Sequence, residues 1–257
     1  MLDVFLEGFT NEQLTVLMFS AVMVGVSKTG VPGVGILSVP LMAMVVAAKA
    51  STGLLLLLLA MADMFAVLYY RRHAQWKHVL RLLPWALAGI GVGSLVIRYI
   101  SDDMLRPVIG LIVMAMLIIN FWLRRKAGKE LKVPHQWYFA ATMGFAAGLT
   151  TQLANAAGPV LVIYLLAMQL SKEQYMGTLA WYCLIINWLK IPLFIWDGRI
   201  TMSSLKADIV MLPAIAVGAA LGIFLLKKMP QKWFNIIIQF LAVAAAVKLI
   251  ISIAEIF

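Results

Sequence analysis

Apolar runs of bilayer-spanning length follow one another from end to end of this chain, joined by short connectors. About 20 apolar residues in helical form cross the ~30 Å hydrocarbon layer. Runs near that length lie at 50–70, 82–99, 104–123, 173–196, 207–226 and 232–254. They are continuous rather than alternating, which selects helices over a barrel. With 63% hydrophobic residues, 12% charged and a mean hydropathy of +0.97 over 257 residues, no separate soluble domain fits. The fold class expected is an all-α polytopic membrane protein.

Four further runs are shorter and come in pairs, 13–26 with 34–48 and 137–150 with 157–170. Fourteen residues of helix reach only about 21 Å. Each pair is therefore read as a hairpin of half-helices. The tip of the first, at 27–33, is Ser27-Lys28-Thr29-Gly30 through Pro32 and Gly33. The tip of the second is Thr150-Thr151-Gln152 through Asn155, Gly158 and Pro159. Glycine and proline interrupt helices, and interrupted backbone at membrane depth is tolerated only inside protein or against a cavity.

The two pairs belong to an internal repeat. A shift of 123–124 residues sets Gly25 on Gly148, Gly35 on Gly158, Gly53 on Gly177 and Asp63 on Asn187. Each half reads as a broken hairpin followed by three transmembrane helices, 1–123 and 137–257, with a basic linker at 124–136. A hairpin returns to its starting side and three spans cross over. The halves would then have inverted topology, as in many secondary transporters. With both termini outside, the inner loops collect Arg71, Arg72, Arg124, Arg125, Lys126, Lys227 and Lys228, and the outer side collects Asp3, Glu7, Glu12, Asp102 and Asp103. That distribution obeys the positive-inside rule. The acidic N-terminus is not read as a cleaved signal peptide. The formal charge of +10 is assigned to topology, and no nucleic-acid partner is expected.

A lysine within an apolar span is costly and marks a candidate site. Lys28 at a helix break, beside half-helix N-termini, describes a place for an anion. Ser27, Thr29 and the amides near Gly30 and Gly33 are candidate donors to it. Thr151, Gln152, Asn155 and Gly158 are the candidates from the second tip, Asn155 foremost because an amide donates twice. Asn187 and Lys190 share one helix face at i, i+3 and are placed in the pathway. Asp63 is a candidate either to pair with Lys28 or to carry a proton. Trp181, Tyr182 and Trp188 are read as packing residues, and His73, His78 and His135 as ordinary loop residues.

No phosphate-binding GxxxxGK[ST] loop, HExxH helix or metal-ligand cluster occurs. Cys183 is the single cysteine and has no histidine partner in sequence. No cofactor and no enzymatic activity are expected.

Gly25-x-x-Lys28-x-Gly30-x-x-Gly33-x-Gly35 with Pro40, Gly53, Asp63 and Tyr69-Tyr-Arg-Arg72 resembles the first half of the TauE/SafE sulfite exporter family. Gly144-x-x-x-Gly148, Asn155-x-x-Gly158-Pro159, Gly177-Thr178 and Asn187-x-x-Lys190-x-Pro192 resemble its second half. The resemblance implies a bacterial-type inner-membrane exporter of small sulfur-containing anions, sulfite or organosulfonates such as sulfoacetate. Alternatives are a permease for another sulfur compound or ion in the same fold, and a membrane-embedded assembly factor or enzyme. The partners implied are a small anionic substrate and the lipid bilayer. The oligomeric state is left open, a homodimer included.

Overall fold

The computed structural model describes residues 10–32, 34–101, 104, 137–230 and 233. Gly33, the linker at 124–136, and the predicted spans at 104–123 and 232–254 (apart from Met104 and Trp233) lie outside the described residues. Every regular element among those described is helical. They are α1 Asn11–Thr29, a 3-10 turn Val34–Leu37, α2 Ser38–Val45, α3 Ala48–Tyr70 and α4 Trp76–Tyr99. After these come α5 Trp137–Ala154, α6 Gly158–Ala167, α7 Lys172–Trp196, α8 Met202–Val210 and α9 Leu212–Lys228.

α3, α4 and α7 are long and apolar enough to cross a membrane, and α8 with α9 makes a fourth candidate bent by 49°. The hydropathy run at 207–226 reads as one straight span. The chain instead breaks at Met211, because Pro213 in the first turn of α9 cannot continue a hydrogen-bonded ladder from α8. α4 starts at Trp76, six residues before its apolar run. Its first turn carries Lys77 and His78, so average hydropathy hides a turn whose Val79 is fully buried. His78 is thus helical rather than a loop residue, and its Nδ1 lies 3.0 Å from the Tyr164 hydroxyl.

The helix starts have local causes. Thr10 and Gln13 form a capping box at α1, Ser171 and Gln174 another at α7, each side chain satisfying one free amide. The arms of the two interrupted segments are unequal. α1 has 19 residues and α2 has 8, while α5 has 18 and α6 has 10.

Close packing depends on small residues. α1 lies on α9, where a Cβ at Gly25 would stand 2.5 Å from the Ile215 carbonyl oxygen, and one at Gly218 would strike Val22. α4 lies on α5, where a Cβ at Gly148 would strike the Ala86 backbone and one at Gly89 the Phe145 carbonyl. Gly89-x-x-x-Gly93, Gly144-x-x-x-Gly148 and Gly218-x-x-x-Gly222 are the small-residue spacings that let membrane helices approach closely. α3 and α7 pack antiparallel, Gly53 near the start of α3 touching Arg199 beyond the end of α7, and Gly177 near the start of α7 touching Tyr70 and Ala74 at the end of α3. Leu55, Leu58, Met42, Leu153 and Ile215 fill one buried cluster, and Leu82, Ile90, Leu161, Met176 and Ile186 another. Phe19, Leu68, Leu80, Leu95, Trp188 and Phe224 point outward. Such outward apolar faces suit hydrocarbon rather than water. Trp188 is therefore an outer-face residue, whereas Tyr182 is buried in the bundle and Trp181 donates its indole N–H to the Arg71 carbonyl.

Candidate functional site: a cavity between two helix interruptions

α1 stops at Thr29 because Gly30 leaves the helical region, at φ −139°, where α9 presses against its bare Cα. The freed end is held by neighbours. The Tyr70 hydroxyl donates to the Thr29 carbonyl at 2.7 Å, and Thr29 Oγ1 donates to the Ala219 carbonyl at 2.8 Å. α5 stops at Asn155, whose φ of 51° is left-handed and cannot propagate a helix. Asparagine tolerates that conformation, and its amide is recruited at once: Nδ2 donates to the Thr52 carbonyl at 2.7 Å.

Both interruptions open on one cavity of about 90 Å³. The first contributes Ser27, Lys28, Pro32 and Gly35, and the second Thr151 and Asn155 through Gly158. α3 supplies Leu55 and Leu59; α7 supplies Leu179, Cys183 and Asn187. The cavity exceeds the volume of one water several-fold, so it can hold a solute of a few heavy atoms. Ala157 caps α6 with no side-chain hydrogen bond. The Gly158 amide therefore stands at the cavity edge, whereas Pro159 has no N–H and the Leu161 N–H donates to the Ala157 carbonyl at 3.0 Å.

The charges are arranged in two groups. Lys28 Nζ lies 2.7 Å from Asp63 Oδ1, and Asn187 Nδ2 donates to Asp63 Oδ2 at 2.6 Å. Asp63 is fully buried, while the Lys28 side chain keeps 12% exposure. Lys190, also fully buried, donates to the Thr151 carbonyl at 2.6 Å, to Thr151 Oγ1 at 3.0 Å and to Asn155 Oδ1 at 2.7 Å. These bonds use all three ammonium protons. They fall on the last turn of α5, where the helix dipole favours a cation; the Thr151 carbonyl also accepts the Asn155 N–H at 3.0 Å.

Placement sorts the residues singled out in the sequence. Ser27, Lys28, Thr151, Asn155, Gly158 and Asn187 line the cavity, and Asp63 stands directly behind Lys28. Thr29, Gly30, Gln152 and Lys190 are not in its wall. Thr29 and Gly30 pack on α9, and Gln152 Nε2 donates to Ser94 Oγ of α4 at 2.9 Å. Lys190 braces the second interruption from outside the cavity. Lys190→Met should therefore destabilise the protein by about 2–5 kcal/mol and lower its denaturation midpoint, the usual result of truncating one partner of a buried charged hydrogen-bond set. Chemical denaturation in detergent measures this.

Sequence reasoning did not single out Arg199. The arginine is 2% exposed. Its guanidinium stacks 3.3 Å from the Phe194 ring centroid, and Nη1 donates to the Gln152 carbonyl at 3.1 Å. The signal was the Asp197-Gly198-Arg199 turn: Gly198 at φ 68° bends the chain back over the end of α7. No group of three or more His, Cys, Asp or Glu able to hold a metal occurs among the described residues.

Apolar helices packed around a largely apolar cavity that carries one lysine define a multi-pass helical membrane protein. The chain belongs to the sulfite exporter TauE/SafE family, whose sequence profile matches residues 17–249. That family is one of membrane transporters, and sulfite export is the activity its name records. No curated protein and no solved structure matched the chain.

Proposed function

We propose that this protein is a secondary transporter that exports small sulfur-containing oxyanions, sulfite or organosulfonates such as sulfoacetate, from the cytoplasm across the inner membrane. The observation that carries the reading is that both helix interruptions share one cavity and that Lys28 lines it. The anion would accept hydrogen bonds from Lys28, Ser27, Asn155 and the Gly158 amide. Charge-assisted bonds of this kind are the strong ones. Membrane potential drives an anion outward at ~2.3 kcal/mol per charge per 100 mV.

We infer an inverted repeat with alternating access from paired contacts. α1 packs on α9 through Gly25 as α5 packs on α4 through Gly148. Asp63 meets Asn187, its counterpart in the other half. Exchanging the halves exchanges these contacts, which is what a two-fold axis in the membrane plane requires. Both termini then face outward. The alternative to potential-driven export is proton coupling: an anion that draws Lys28 away leaves Asp63 uncompensated, and a proton taken up there would leave with the anion and cancel one of the charges on which the potential acts.

Counterflow into proteoliposomes tests this reading, with sulfite, sulfoacetate, sulfate, a neutral sulfur compound and an inorganic cation as the panel. Exchange confined to the sulfur oxyanions is the expected result. Exchange of the neutral compound or the cation alone would assign a different substrate class. Cys183, in the cavity wall, gives a second readout. Maleimide labelling of this single cysteine should slow when sulfoacetate is added.

A further inference from the structure

Lys190 stands behind the cavity wall, yet both residues it holds are in that wall. Its ammonium donates to the Thr151 carbonyl at 2.6 Å, to Thr151 Oγ1 at 3.0 Å and to Asn155 Oδ1 at 2.7 Å. Thr151 and Asn155 are the polar side chains that the second interruption contributes to the cavity. Two of the three bonds therefore go to side-chain oxygens of the wall itself.

The partners fix which way the Asn155 amide points. An ammonium only donates and a backbone carbonyl only accepts. Oδ1 must be the atom on Lys190, and Nδ2 the atom on the Thr52 carbonyl, at 2.7 Å. The amide cannot turn over without losing both bonds. One Nδ2–H is left without a partner among the described residues, so what the side chain still has to offer is a proton. Thr151 is held in the same sense, with Oγ1 receiving Lys190 and the hydroxyl proton left to give. An oxygen that already accepts from an ammonium is also a poor partner for a second cation, because the two like charges would stand close together in a medium that screens them weakly.

We propose that Lys190 is a positioning residue for substrate selection. Acting through Asn155 and Thr151, it makes the second interruption receive hydrogen-bond acceptors and refuse ammonium groups. With Lys28 on the first interruption, the cavity then takes organosulfonates whose stem ends in an acceptor such as a carboxylate. It rejects those whose stem ends in an ammonium. The proposal rests on the cavity being the transport site and adds which stem that site takes.

Sulfoacetate and 2-aminoethanesulfonate are similar in length and opposite at the stem end, so their counterflow KM values test the proposal. The full-length protein is used in proteoliposomes. KM does not depend on how much protein survives reconstitution, so a loss of stability alone leaves it unmoved. The wild type should prefer sulfoacetate by about a hundredfold or more, as sites built around one polar group do against the wrong partner. Lys190→Met should narrow that preference by about tenfold or more, the worth of one charge-assisted hydrogen bond. Lys190→Arg still donates to the same oxygens and should retain it. Asn155→Gly should narrow it as Lys190→Met does, while keeping the cation and the left-handed turn that glycine adopts freely. Equal wild-type KM values for the two solutes would overturn the proposal. So would a preference that either Lys190→Met or Asn155→Gly leaves at its wild-type value, which would make Lys190 a brace alone. Lys28→Gln tells that failure from failure of the cavity reading. Sulfoacetate exchange that Lys28→Gln leaves intact would overturn both.

Discussion

Lys28→Gln should reduce sulfoacetate counterflow by on the order of a hundredfold or more while leaving the protein folded. The side chain is one atom shorter and ends in a neutral amide, so the cavity loses the cation that lines it. Truncating one member of a buried charged contact costs about 2–5 kcal/mol, and each ~1.4 kcal/mol is tenfold in binding. Asp63→Ala breaks the same pair from the other side, so both single variants lose stability. It strips Lys28 of the carboxylate 2.7 Å away and leaves Asn187 Nδ2 without its acceptor. Breaking a buried pair from one side costs about 3–5 kcal/mol, because the surviving charge is uncompensated. The double variant Lys28→Met/Asp63→Leu should regain most of that stability and still fail to transport. Denaturation midpoints and counterflow on the same four proteins separate the roles. Wild-type flux in Lys28→Gln would end the view of this cavity as the anion site.

The second large effect is steric. Gly148→Leu should destabilise the protein by about 1–3 kcal/mol or more, the range for overpacking a tight interface. Even the first added carbon strikes the Ala86 backbone, so α4 and α5 must move apart. The displacement would travel along α5 into its last turn, since Gln152 is tied to Ser94 of α4 at 2.9 Å. Thr151 and Asn155 are carried on that turn. Transport should therefore fall further than the loss of stability explains. Gly91→Leu is the control, because nothing stands within 4 Å of its Cβ position. It should change stability by less than about 0.5 kcal/mol. Equal effects of the two substitutions would show that helix spacing at Gly148 does not matter.

Much of this architecture is legible in one dimension because it depends on local composition. Continuous apolar runs specify helices in lipid, since no water is present to satisfy open backbone. Gly30 and Asn155 mark the two interruptions because each allows a conformation that ordinary helical residues avoid. Other features were not legible. The bend at Met211 lies inside an apolar run whose average hydropathy is unaffected by Pro213. The first turn of α4 is masked by its polar residues. Gly89, Gly93, Gly218 and Gly222 carry a recognisable spacing, but no spacing says which helix each will touch. Arg199 reads as one more loop charge until the turn at Gly198 lays it on Phe194.

The two intramembrane lysines divide what sequence determines from what packing decides. Sequence alone establishes that Lys28 and Lys190 each lie in an apolar segment near a helix-disturbing residue, and that each must find compensation there. It offers Asp63 only as a candidate for Lys28 and nothing for Lys190, because an ammonium can donate to a carboxylate, a carbonyl or an amide oxygen alike. Tertiary structure brings Asp63 and the cavity to Lys28, and brings three oxygens of the α5 terminus to Lys190. One lysine keeps a face open to the cavity and the other is saturated as a brace.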